Sequence, residues 1–64
     1  MTLNEGHIGS YVEYHGLGGE IERGRIKSRN NKFIFVVYKC NNEWERFSDY
    51  NGVATDPKDL VLVE

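Results

Sequence analysis

Five cations fall within ten residues of this chain: Arg23, Arg25, Lys27, Arg29 and Lys32. The first four, Arg23, Arg25, Lys27 and Arg29, would make one contact strip. Such a row suits phosphates or carboxylates, which accept the N–H donors of both side-chain types. The plainer account is a solvated strand face whose cross-strand ion pairs each contribute little. The second group with chemical reach is aromatic. Tyr11, Tyr14, Phe33, Phe35, Tyr38, Trp44, Phe47 and Tyr50 are more rings than so small an interior can enclose, and some must reach the surface. There, Trp44 or Tyr50 would stack on an unpaired base while Arg25 and Lys27 hold phosphates. Alternatively the same rings, with a charged rim, make a face for another protein.

Groups suited to catalysis or metal binding are sparse. His7 and His15 fall on or near loops, where a lone histidine is far more often solvated than a general base. Cys40 ends an apolar run beside Lys39, and a buried, inert thiol accounts for it. Asp49, Asp56 and Asp59 lack the spacing of a calcium loop, and no cysteine and histidine pattern resembles a zinc site. The expectation is no catalytic residue, no metal and no cofactor.

The chain has 64 residues, 39% hydrophobic and 28% charged, with a formal net charge of -2. That is the composition of one small globular domain, close to the lower limit for an unaided core. A negative balance argues against indiscriminate binding to phosphate backbones, which depends on surplus Lys and Arg. The acids gather instead at Glu43, Glu45, Asp49, Asp56, Asp59 and Glu64, so a basic edge and an acidic edge are expected. One unpaired cysteine and the lack of a leader or a membrane-length apolar run point to a reducing cytoplasm.

The elements that must carry these groups read as strands. Lys32 to Cys40, KFIFVVYKC, is β-branched and aromatic with both parities apolar, which predicts the central strand of an all-β domain. A strand apolar on both sides needs two coverings. Either the N-terminal and 41 to 55 segments pack over the outside of a closing sheet, or a partner supplies the second cover. Before it, residues 1–8 form a loosely packed lead-in and Ser10 to His15 a first strand. Gly16 to Gly19, GLGG, reverses the chain; no helix follows it, so it is a hairpin loop and not a phosphate cradle. Glu20 to Arg29 is the second strand. Ile21 and Ile26 sit at an odd spacing, so a bulge or bend at Gly24 is needed to turn both inward, leaving Glu20, Glu22, Arg25 and Lys27 outside. Ser28 to Asn31 turns into the central strand, Asn41 and Asn42 form a tight hairpin, and Glu43 to Phe47 returns as a strand. Ser48 to Thr55 is a turn-rich candidate recognition loop. Residues 56 to 59 read as a single helical turn, with Thr55 or Asp56 as its cap and Pro57 at the first helical position, and Leu60 to Val63 closes the chain as a strand.

Five strands, a bent second strand and a one-turn helix before the last predict an SH3-like small β-barrel. The stretch IGSYVEYHGLGGEIERGRIK, Ile8 to Lys27, resembles the opening of Tudor and KOW-type domains, and ATDPKDLVLV resembles their closing turn and strand. As a whole, residues 8 to 63 are similar to short proteins encoded by bacteriophages and prophages. The resemblance implies a binding module that presents loops and one barrel face to a peptide, nucleic acid or protein. It also implies, as in Tudor-like barrels, an aromatic cage for a methylated cation, with Tyr14, Trp44 and Tyr50 beside Asp49 or Glu43.

The function expected is therefore a non-catalytic protein-interaction module, a phage or prophage accessory protein acting on a host or defence protein as a monomer or homodimer. Its partner-binding residues are Tyr14, Arg25, Lys27, Trp44, Phe47 and Tyr50. The alternative is a nucleic-acid-binding barrel using the strip from Arg23 to Lys32 together with exposed aromatics.

Overall fold

The structure, a computed structural model, describes residues 1–63. Its strands are β1 (Tyr11–His15), β2 (Ile21–Arg29), β3 (Ile34–Val37), β4 (Val53–Thr55) and β5 (Leu60–Val63). Two 3-10 helices, η1 (Trp44–Asp49) and η2 (Pro57–Asp59), precede β4 and β5. All strand pairs are antiparallel in one five-stranded sheet of order β4-β3-β2-β1-β5. The all-β class and the single helical turn before the last strand are as the sequence predicts. Of the two candidate caps, Thr55 and Asp56, it is Asp56 that accepts the Lys58 amide, at 3.0 Å, and so caps η2.

The middle of the sheet is β2, not the apolar run around β3. β3 lies between β2 and β4, and needs its hydrophobicity because both of its faces are covered. Ile34 and Val36 on one face and Val37 on the other are all fully buried. The inner face gathers Val12, Ile26, Ile34, Val36 and Leu60 into the core, with Leu62, Tyr14 and Tyr38 packed against them. Each such aliphatic side chain contributes roughly 1.5–3 kcal/mol when fully buried. The core is aliphatic. All eight aromatic side chains are half-buried, none enclosed and none fully exposed.

Register in β2 departs from the expectation. Val12 faces Gly24 and Ile26 faces Val36, so Gly24 is an inward position in a continuous ladder and not a bend. A Cβ there would lie 2.3 Å from Val36 Cγ1, so the absence of a side chain lets β3 cross close above it. Ile21 therefore points away from Ile26 and is 60% exposed, while Glu22 pairs with Tyr14 on the inward side. The bulge lies instead between Ile26 and Ser28. One extra residue there reverses the parity of everything after it, which sends Arg29 to the same side as Ile34.

The lead-in is tied down firmly. The Gly9 amide donates to the Ile26 carbonyl at 2.7 Å, and Met1 and Leu3 pack against the core. Arg29 donates to the carbonyls of Leu3, Glu5 and Gly6, which holds the whole turn against β2.

Candidate functional site

Residues 43–47 do not form a returning strand, because Asn41 and Asn42 take left-handed φ angles of 52° and 63° in succession and turn the chain into η1. η1 is two short 3-10 turns that meet at a kink at Arg46, each turn taking about three residues, and Tyr50 follows its end in extended geometry. Trp44, Phe47 and Tyr50 have that spacing and are half-buried, whereas Glu45, Arg46, Ser48 and Asp49 are exposed. On the solvent side Arg46 Nε lies 3.3 Å from Asp49 Oδ2. On the sheet side η1 packs on β2, the self-supplied cover over the outer face, where Tyr11, Arg25 and Val37 lie in register.

Cations fasten this cover. Arg25 Nε donates to the Gly9 carbonyl at 2.8 Å and its Nη1 to the Trp44 carbonyl at 2.7 Å. Its guanidinium sits between two rings, 4.6 Å from the Tyr11 centroid and 4.3 Å from the Phe47 centroid. Trp44 in turn packs tilted on Tyr11, with centroids 6.2 Å apart. Lys27 Nζ donates to the Tyr50 carbonyl at 2.6 Å. Of the six residues expected to bind a partner, five thus form one internal seam: Arg25, Lys27, Trp44, Phe47 and Tyr50. Tyr14 is not among them. It points to the inner side and meets Tyr38 edge to face at 6.0 Å, so the three rings of the expected cage do not converge.

The row of cations is divided for the same reasons. Arg25, Lys27 and Arg29 have their N–H donors on backbone carbonyls, on two sides of the sheet. Arg23 remains exposed, 5.8 Å from the Tyr11 ring, and Lys32 lies 5.5 Å from the Phe33 ring. The spacing of the sequence does not reveal this, because the carbonyl acceptors belong to segments distant along the chain.

A cleft of about 590 Å³ opens on the inner side at the other end of the strands. Tyr14 and Tyr38 form its aromatic part, and Glu22, Asp56 and Asp59 bring carboxylates to it against the single ammonium of Lys39. Asn51 and β4 form the opposite wall. The Lys27 bond to Tyr50 fixes the chain immediately before Asn51, so the seam on one face steadies a wall of the cleft on the other. Thr55 Oγ1 donates to the Val53 carbonyl at 3.1 Å, which leaves it free to accept from Tyr38 Oη at 2.8 Å. Burial pushes the Tyr38 phenol above its ordinary value of 10.0, the Thr55 hydroxyl opposes this, and the negative charge of Glu22 and Asp59 adds to it.

Compared with protein families, curated proteins and solved structures, the chain matches none. Its chemistry therefore rests on its own residues. The catalytic candidates lie apart from the cleft lining: His15, exposed, has Nε2 3.4 Å from Glu13 Oε1, His7 is exposed, and Cys40 is buried at 2% exposure. Among the described residues no group of three or more His, Cys, Asp or Glu side chains gathers to hold a metal. No helix there is long and apolar enough to cross a membrane. The cleft residues missing from the sequence-based set, Glu22, Tyr38 and Asp59, had one usable signal. The odd spacing of Ile21 and Ile26, taken without a bend, already turns Glu22 inward.

Proposed function

We propose that this protein is a non-catalytic protein-binding module, with the cleft between Tyr14, Tyr38 and β4 as its docking site. The observation that carries this is the commitment of Arg25, Lys27 and Arg29 to backbone carbonyls. Nucleic-acid binding draws its energy from cations that can pair with phosphates, and the row best placed for that work holds the fold together instead. What faces outward is half-buried rings and scattered apolar side chains, among them fully exposed Leu17 and Val61 at 47%, between charges of both signs. Such a surface suits protein recognition, where acidic neighbours are no handicap. The resemblance to short bacteriophage proteins supports a setting in which the partner is a host or defence protein.

Titration with single-stranded and duplex nucleic acid at low salt tests the proposal. No saturable binding is expected. Tight binding that weakens steeply with added salt would assign the protein to nucleic acid instead.

A further inference from the structure

We propose that the cleft receives an arginine side chain presented by an exposed segment of the protein partner. The inference rests on the protein-binding role above and names the chemistry of the occupant.

Concavity and charge agree on this occupant. The cleft volume of about 590 Å³ lies in the range of roughly 300–1,000 Å³ typical of small-ligand sites, enough for one long side chain and its flanking backbone. Its carboxylates are not satisfied from within. The carboxylates of Glu22 and Asp59 have no hydrogen-bond or ion-pair partner among the described residues, and that of Asp56 engages only Oδ1, on the Lys58 amide. Among the described residues Lys39 is the only cation of the lining and makes no ion pair. The chain's own arginines at 25 and 29 are held elsewhere.

The rings narrow the choice. Tyr14 and Tyr38 meet edge to face at an interplanar angle of 71°, and both half-buried rings line the cleft, where their π-systems attract a cation. A guanidinium also forks N–H donors to carboxylates at its rim, which a fully methylated ammonium lacks. A metal ion fits poorly, since these acids do not converge as a ligand set among the described residues. An anionic ligand would meet three carboxylates.

The test uses backbone amide NMR on the full chain, titrated with short glycine and serine peptides carrying one central arginine, trimethyllysine, norleucine or glutamate. Saturable shifts confined to the amides around Tyr14, Glu22, Tyr38 and Thr55 are expected with the arginine peptide. Glu22→Gln and Asp59→Asn together should weaken that binding about tenfold or more, while Glu45→Gln with Asp49→Asn, an equal loss of charge on the exposed side of η1, should change it less than about twofold. Equal sensitivity to the η1 pair, or shifts spread over the surface, would overturn the proposal. Preference for the trimethyllysine, norleucine or glutamate peptide in the cleft would also overturn it, yet leave the protein-binding role intact. Failure of every peptide would overturn it as well, and combined with salt-sensitive nucleic-acid binding would remove both.

Discussion

The Arg25 guanidinium lies 4.3 Å from the centre of the Phe47 ring while its Nη1 donates to the Trp44 carbonyl, so one side chain of β2 both stacks on η1 and binds a carbonyl of its first turn. A second hydrogen bond, from Nε, reaches back to Gly9. Lysine keeps the charge but has neither the planar face nor the fixed fork. Arg25→Lys should therefore lower stability by about 1–3 kcal/mol, the scale of lost charge-assisted hydrogen bonds, measured by urea unfolding. A change below a few tenths would show that the seam contributes nothing to the fold.

Lys27 acts at one point of that seam, the Tyr50 carbonyl, and Asn51 next to it lines the cleft. Lys27→Met retains the aliphatic stem and removes the donor. Global stability should fall by about 1 kcal/mol, and amide exchange should quicken over residues 50–55 more than over β1 and β2. Uniform quickening would mean that the bond does not hold the wall locally.

The two faces of β2 make opposite demands on substitution. Gly24→Ala puts a methyl group 2.3 Å from Val36 Cγ1 and 3.0 Å from the Val37 carbonyl oxygen, in a buried ladder with no flexible neighbour to yield. The expected loss is at least about 1–3 kcal/mol. At the hairpin tip Gly18→Ala meets nothing closer than Glu20 at 3.8 Å and should stay within about 0.5 kcal/mol of the parent. Similar melting temperatures for the two variants would contradict the close crossing of β3 over Gly24.

The sequence carried the sheet and its turns more fully than the site, and the reason is where each signal resides. β1, the glycine loop, the Asp56 cap and β5 are set by residues adjacent along the chain, and they form where local chemistry places them. Asn41 and Asn42 do take the left-handed geometry suited to a hairpin, but as two such residues in succession they lead into η1, and β4 forms at Val53–Thr55 instead. The three-residue rhythm of Trp44, Phe47 and Tyr50 was present in the sequence, though alternation hides it when the segment is read as a strand. The cations were harder. Nothing near Arg25, Lys27 or Arg29 in sequence reveals that carbonyls of Gly9, Trp44, Tyr50 and the lead-in will take their donors. A bulge at Lys27, invisible in hydrophobic pattern, decides which side Arg29 serves.

Tyr38 gives the fold an alkaline limit. Burial, with Glu22 and Asp59 adding to it, raises the folded phenol above the ordinary value of 10.0, whereas in the unfolded chain it ionises near that value. Between the two the unfolded state has lost a proton that the folded state still holds, so stability falls as pH rises through this window and is fully present below it. Tyr50 shifts in the same direction, from desolvation and then the Glu43 carboxylate, and adds to the trend. Tyr38→Phe removes one titration together with the 2.8 Å hydrogen bond to Thr55. Near pH 8 the variant should be less stable than the parent by about 0.5–1.5 kcal/mol, and the gap should narrow toward about pH 11 as the parent alone loses the Tyr38 contribution. Urea midpoints of both proteins across that range provide the check. A gap that stays constant or widens would place the Tyr38 hydroxyl in open solvent rather than against Thr55 at the edge of the cleft.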